Sequence, residues 1–501
     1  MRIVIVTSRS RCAGLNVELP TANTKLQNRI TLAQFLFCQG RRAARIFHSP
    51  TPHTMNLPRT TRRSFLRTTL AAGVAPMFLP GRIWAADVKP NDKLSIGLIG
   101  NGKMNSGHLD QWLGNARTQV VAVCDVDTTR RENAKKTAEA HYSKATGTDY
   151  KGCASFTNFE DLIARKDIDL VCVATPDHWH AIIDIAAAKA GKDIYAEKPM
   201  TETIHEAKTL VQTIRETNRV FQTGSQQRSS REFRIACELA RNNIVGKIYH
   251  ASVGVGGPGI ACDLPEEKME PGLDWDRWLG PAPMRPYHSE LSPRGVHNHF
   301  PNWRKYWEYG GGMVTDWGAH HFDICQWGLG EDERGPVEIT PPSEKSAKKG
   351  AKLKYASGVE VEHISENGVT FHGENGFIFV NRGRFILKIG DKEIANYSKE
   401  GSKPSLNQQL DLVEKEYLAD AKVKLEDSGN HKDNFLDCVR SRKRPIADVA
   451  IGARTVITCH LVNLAYRHGA KIQWDPAKLD FAGGTGKPEW LTRDYRGNWK
   501  V

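Results

Sequence analysis

The sequence predicts an α/β chain whose front half is a dinucleotide-binding Rossmann domain, and three observations carry that prediction. A strand-like run from Lys93 to Ile99 leads into Gly100-Asn101-Gly102 and then a helical stretch from about Ser106 to Asn115. A second strand-like run, Gln119 to Cys124, ends on Asp125. A short apolar run, Asp193 to Ala196, is followed at once by Glu197-Lys198-Pro199.

Each of these has a physical reading. In a Gly-X-Gly turn the first glycine permits the tight bend and the second lets the backbone approach a pyrophosphate, while the helix N-terminus supplies N–H groups and a positive dipole end. Gly100, Asn101, Gly102, Lys103 and Met104 are therefore the expected pyrophosphate loop, although the third glycine of the fingerprint falls on Asn105. Asp125 stands at the spacing that puts a carboxylate beside the adenosine ribose, where it accepts from both hydroxyls and repels a 2′-phosphate. NAD is favoured over NADP on that ground, with Arg130 as the competing feature because a guanidinium there would receive the phosphate.

A third strand, Ile168 to Ala174, runs into Thr175-Pro176-Asp177-His178-Trp179-His180 and a helix from Ala181 to Ala190. The loop is expected to flank the cofactor through Thr175, Pro176, His178 and His180; no metal site is expected from these histidines, since no further ligand cluster lies nearby. Lys198, at a strand's carboxyl end, faces the crevice where ligands sit in an open parallel sheet. Farther on, Tyr309 to Asp323 carries a triple glycine and then a helix-like stretch in which Asp316 and His320 stand four apart. That spacing places them on one helix face, as a proton-transfer pair would require.

Taken together these segments resemble the Gfo/Idh/MocA oxidoreductase family, named for glucose-fructose oxidoreductase, inositol dehydrogenase and a rhizopine-catabolism protein. The resemblance runs from about residue 93 to 480 and includes the tail motif from His431 to Arg442. It implies a second, C-terminal α/β domain with a large open, mainly antiparallel sheet that carries the substrate and often the oligomer contacts. It implies that Lys198, Asp316 and His320 form the catalytic set, that Lys198–Pro199 is cis, and that Glu197 and Lys198 border the cofactor. Substrate contacts are expected from Arg228, Trp303, Arg304, His320 and His321.

Oxidising an alcohol needs a hydride acceptor, a base for the proton and a cation for the developing charge on oxygen. His320 is the expected acid/base, Lys198 the polarising ammonium and Asp316 the group that orients His320; which of Lys198 and His320 takes the proton stays open. Three functions fit these parts: a dehydrogenase acting on a sugar, polyol or glycoside, a redox-neutral NAD-dependent glycosidase or lyase, and a cofactor-holding protein without catalysis. Strands around residues 359–363, 369–372 and 376–380 are expected in the second domain, and Gly256 to Arg304 is a Trp- and His-rich excursion that suits either scaffold or carbohydrate pocket.

The expected division is a leader or mis-assigned start at 1–54, a signal segment at 55–86, domains at 90–223 and 224–480, and a tail at 481–501. Thr61-Arg62-Arg63-Ser64-Phe65-Leu66-Arg67 with the apolar run to Leu79 reads as a twin-arginine signal, hence export to an extracytoplasmic space, with an uncleaved leader as the alternative. Outside the inner membrane no pool of free nicotinamide is expected, so the cofactor should be tightly bound. The first 86 residues hold 13 Lys/Arg against one Glu, or +12 of the chain's formal +13, which leaves about +1 for the rest and no charge argument for nucleic acid. The cysteines, 10 in all, form no C-x-x-C pair.

Overall fold

The computed structural model describes residues 92–501, so the expected leader and twin-arginine segment lie outside the described residues. The chain opens with β1 (Leu94–Ile99), α1 (Lys103–Gly114), β2 (Thr118–Cys124), α2 (Thr128–Thr146), β3 (Ala154–Phe156) and α3 (Phe159–Ile163). It continues through β4 (Leu170–Val173), α4 (Asp177–Lys189), β5 (Asp193–Ala196), α5 (Ile204–Thr217) and β6 (Phe221–Thr223). These six strands form one parallel sheet in the order β3-β2-β1-β4-β5-β6. Helices cover both faces, which is why β4 and β5 are buried at every position and read as unbroken apolar runs. The order reverses between β1 and β4, and the crevice at their carboxyl ends is where such sheets bind ligands.

Two helices start earlier than their sequence suggests. Gly102 caps α1, so the helix begins at Lys103 directly after the glycine turn. Pro176, with φ −60°, sets up the N-terminus of α4, and the acidic Asp177 suits the positive end of its dipole. The Asp177–His180 stretch is thus a helical turn rather than a loop, with consequences for both histidines.

The second half begins with α6 (Arg231–Arg241), β7 (Ile248–Gly254), α7 (Trp275–Leu279), α8 (Met313–Asp316) and α9 (Gly318–Leu329). Then come β8 (Pro336–Thr340), β9 (Lys352–Tyr355), β10 (Glu360–Ile364), β11 (Gly368–Gly373), β12 (Gly376–Asn381), β13 (Arg384–Ile389) and β14 (Lys392–Tyr397). Helices α10 (Leu406–Tyr417), α11 (His431–Ser441) and α12 (Val449–His468) precede β15 (Ile472–Asp475) and β16 (Asp480–Ala482). The strands build a mixed, mainly antiparallel sheet in the order β14-β13-β12-β11-β7-β10-β9-β8-β15-β16, with β7 and β10 parallel. Strand β10 alternates half-buried and buried residues, as its Glu-Val-Glu-His pattern requires, and α6, α9 and α12 pack on the sheet.

Helix α11 crosses back to the first sheet, where Phe435 and Leu436 join Trp112 and Tyr195 in one apolar cluster. Helix α12 is long and apolar enough to cross a membrane, yet 72% of that stretch is buried inside the protein, the property of a core helix. The eight cysteines of the described residues are all free.

Candidate active site

The crevice between β1 and β4 is built by its glycines. Gly100 sits at φ +81°, and a Cβ there would fall 2.8 Å from the backbone nitrogen of Thr175, so a side chain is excluded by both conformation and space. At Gly102 a Cβ would meet nothing within 4 Å, because that space is the crevice itself. No side chain caps the N-terminus of α1, which leaves its first N–H groups facing the crevice. Asn105, in place of the third glycine, is fully buried with its Oδ1 3.6 Å from Cys172 Sγ on β4. It fills the helix–sheet contact and leaves anion binding to the first two glycines.

Asp125 follows β2 and is held by two backbone donors, Asn101 N at 2.5 Å and Asp127 N at 2.8 Å, while burial pushes its carboxyl up from the ordinary range. A cleft runs past Gly100, Gly102, Lys103, Met104, Asp125, Arg130, Thr175 and Pro176. Its aromatic wall, which includes Phe159, Trp179 and Trp278, and its polar groups at the glycine turn suit a dinucleotide. Arg130 does not present a free guanidinium there: it donates to Ser292 Oγ at 3.2 Å, Gly295 O at 3.1 Å and Pro293 O.

Lys198 lies at the carboxyl end of β5, and its bond to Pro199 is cis. Its Nζ donates to Asp316 Oδ1 at 2.6 Å and to Asp316 O at 3.1 Å. Arg304 Nε is 3.4 Å from the same Oδ1. Burial works against ionisation of Asp316, but the two cations prevail and hold its carboxyl below the ordinary range. Glu197 turns away from the cofactor cleft. It accepts from Gln226 at 2.9 Å and from the Lys198 backbone at 3.2 Å, and pairs with His108 Nε2 at 2.9 Å. Burial opposes its charge, yet these partners bring it down to about 2, while burial moves His108 below its ordinary value.

The expected Asp316–His320 pair does not form. The hydrogen-bond ladder is interrupted at Trp317 between α8 and α9: His320 N bonds Trp317 O three residues back, Asp316 O accepts from Lys198 Nζ, and the Asp316 carboxylate is taken by Lys198 and Arg304. His320 is buried with Nδ1 unpartnered, and burial together with the charges of Lys198 and Arg382 holds its imidazole well below the ordinary range. Asp316 therefore bonds Lys198, and His320 lies nearby with Nδ1 free of any protein partner.

Four other expected site residues have structural partners instead. Arg228 is 2% exposed and is paired with Asp323 at 2.8 Å and Asp332 at 2.6 Å, its guanidinium over Trp327. His178 is fully buried against Trp278 and Tyr309, with Nε2 on Trp278 O. His180 bridges Pro199 O at 2.7 Å and Thr175 O at 2.9 Å, which staples the β4 loop to the Lys198 turn. His321 is spent on Gly254 O at 2.7 Å. Trp303 and Arg304 do line the cleft, with the guanidinium 4.2 Å above the indole.

Residues the sequence did not single out complete the site. Asp177 is buried near Arg304, Asp316 and Lys198, and burial drives its carboxyl well above the ordinary range. Arg382, at the tip of the β12–β13 hairpin, sits 4.8 Å over Trp317, and no carboxylate among the described residues pairs with it. A hairpin Arg-Gly gives no local signal that its side chain reaches Trp317 and the charges of Glu197 and Asp316.

Comparison with known proteins agrees with this geometry. Residues 94–225 match the model of the Gfo/Idh/MocA oxidoreductase family's NAD-binding Rossmann fold, and residues 259–501 match that of its C-terminal alpha/beta domain. The chain belongs to the Gfo/Idh/MocA oxidoreductase family. A glycosyl hydrolase family 109 protein of Parabacteroides distasonis is 28% identical over 244 residues, 45% of this chain and 50% of that protein. One from Shewanella baltica is 27% identical over 190 residues, 36% and 39% of the two chains, so the similarity spans half or less of these relatives' length. In fold, the chain resembles the WlbA dehydrogenase of Bordetella pertussis, solved with NADH and UDP-GlcNAcA (TM-score 0.52, 20% identity, 76% of this chain and 97% of that one). It also resembles the aldose-aldose oxidoreductase of Caulobacter crescentus (TM-score 0.50, 16% identity, 76% and 99%).

Proposed function

We propose that this enzyme transfers hydride between a bound nicotinamide and a carbon of a sugar, polyol or glycoside. The observation that carries the reading is Lys198 Nζ, fixed 2.6 Å from Asp316 at the carboxyl end of the strand beside β4, with Arg304 of the cleft wall on the same carboxylate. When bound, the nicotinamide would supply the hydride acceptor. Lys198 polarises the substrate oxygen and stabilises the negative charge that grows on it. His320, with a ring nitrogen that no protein group occupies, takes the hydroxyl proton. Asp316 holds the ammonium in place, Arg304 steadies the same carboxylate, and Arg382 meets the substrate from the hairpin side.

NAD is the favoured cofactor, since a carboxylate at Asp125 opposes a 2′-phosphate and the donors of Arg130 are already engaged. Export by the twin-arginine signal, with the cofactor retained throughout the cycle, completes the proposal. The solved sugar-acting neighbours and the NADH bound to one of them support this substrate class.

A second reading is favoured by the glycosyl hydrolase names of the curated relatives. Oxidation of one carbinol acidifies the neighbouring C–H; loss of that proton expels the glycosidic oxygen as an alcohol; water adds, and the hydride returns to the same carbon, with no net redox change. Incubating the protein with sugars and aryl glycosides while following nicotinamide absorbance and released aglycone separates the two. Hydride transfer without aglycone supports the dehydrogenase, catalytic aglycone release without reduced cofactor supports the glycosidase, and neither signal refutes both.

A further inference from the structure

The cleft has a roof, and the roof is fastened by a residue whose sequence position suggested phosphate recognition. Residues 291–304 come from the long excursion between β7 and α8 and line the cleft across from the Gly100–Gly102 turn, through Pro293, His297, Phe300 and Trp303 among others. Arg130, in the first turn of α2, ties this strap down with all three guanidinium nitrogens: Nε on Gly295 O, Nη1 on Ser292 Oγ and Nη2 on Pro293 O. It is 7% exposed, and its own backbone is fixed by Asp127 Oδ1 at 3.0 Å. A second tie comes from the other side of the cleft, where Lys103 Nζ donates to Asn298 Oδ1. Glu270 accepts from Gly295 N at 3.3 Å and steadies the strap from beneath.

An arginine that bridges to a distant loop is often only packing. Here the loop it holds forms a wall of the cofactor cleft, and both ties start from the elements that form the pyrophosphate turn and follow Asp125. A dinucleotide lying in this cleft would be enclosed on the strap side until those ties open. Three bonds of a charged donor, in a buried setting, oppose that opening.

We propose that Arg130 is a cofactor-retaining latch: it holds the 291–304 strap closed over the nicotinamide dinucleotide and does not read the 2′ position. The inference rests on the proposed function only in that the occupant is a nicotinamide dinucleotide.

The test is the rate at which bound NAD leaves wild type, Arg130→Ala, Arg130→Lys and Asn298→Ala, measured by chase with excess unlabelled NAD, alongside the melting temperature of each stripped protein. Arg130→Ala should release NAD roughly 10–100-fold faster, the worth of one or two hydrogen bonds to a charged group. Arg130→Lys should fall between, because a compact ammonium on a shorter head cannot span the three acceptors that the planar guanidinium fork reaches at once. Asn298→Ala alters only an exposed contact and should also speed release, which keeps the test decisive if Arg130→Ala fails to fold. The NAD-to-NADP preference should be unchanged in all three. Wild-type release rates across the variants, or a loss confined to NADP affinity, would overturn the latch; wild-type protein that binds no nicotinamide dinucleotide would overturn the proposed function instead.

Discussion

Oδ1 of Asp316 receives Lys198 Nζ at 2.6 Å and lies 3.4 Å from Arg304 Nε, so one carboxylate oxygen serves two cations. Asp316 thereby acts through Lys198 and not through the histidine four residues on. Its role in the pair has a measurable signature. Asp316→Asn should cost on the order of 10²-fold in kcat. Its effect should be strongly non-additive with Lys198→Ala, since both remove one unit, but close to additive with His320→Ala. A cycle in which Asp316 and His320 couple instead would restore the helical-pair reading.

Arg228 provides a contrast between site and scaffold. Removing its guanidinium leaves Asp323 and Asp332 without their counter-ion in a buried setting. Arg228→Ala should therefore destabilise the fold by about 3–5 kcal/mol, the usual loss when one partner of a buried pair is deleted. Whatever folded protein remains should keep its substrate KM. Denaturant midpoints and KM, measured on the same preparation, check both halves.

Asp184 offers a stability test with a defined sign. It is fully buried, neither carboxyl oxygen has a partner, and burial raises its pKa well above the ordinary value of 3.8, making it a weaker acid. Above that value the unfolded chain loses a proton that the folded chain keeps, so this group's contribution to stability declines as pH rises, by at most about 1.4 kcal/mol per pH unit. Asp184→Asn keeps the shape and removes the titration. Its stability relative to wild type should improve from about pH 5 to about pH 8, as read by urea midpoints; a gap independent of pH would show that Asp184 folds ionised.

Cofactor preference can be read by titration of stripped protein. NAD should bind more tightly than NADP, because a 2′-phosphate would meet Asp125 while the nearest guanidinium is engaged by the strap. Tighter NADP binding would mean that the strap yields Arg130 to the phosphate.

The parts of the site that were legible in the sequence are the local ones. Gly100-X-Gly102 before a helix and Asp125 after a strand are set by chain geometry over a few residues, and the crevice lies where they place it. Contacts that close over long separations were not legible: Lys198 meets Asp316 across 118 positions, and Arg228 finds Asp323 across 95. The first came through family resemblance, while Arg228 was assigned to substrate because its counter-ions are remote in sequence. The Asp316–His320 spacing misled because it weighs only neighbours along a helix, whereas the Asp316 carboxylate is taken by Lys198 and Arg304. His178 and His180 were misplaced by a helix start: once Pro176 opens α4 at Asp177, both rings point inward to backbone carbonyls.

The most direct test of Lys198 as the catalytic centre is a single-turnover experiment on wild type and Lys198→Ala at matched NAD occupancy, following nicotinamide reduction on addition of the substrate identified from the carbohydrate panel. Wild type should reduce its bound cofactor and slow when the transferred hydrogen is replaced by deuterium. Lys198→Ala should hold the same amount of NAD and reduce it roughly 10²–10⁴-fold more slowly, the span expected when a positioned proton-transfer or charge-stabilising group is lost. Reduction at the wild-type rate in a Lys198→Ala protein that carries its full complement of NAD would contradict the account.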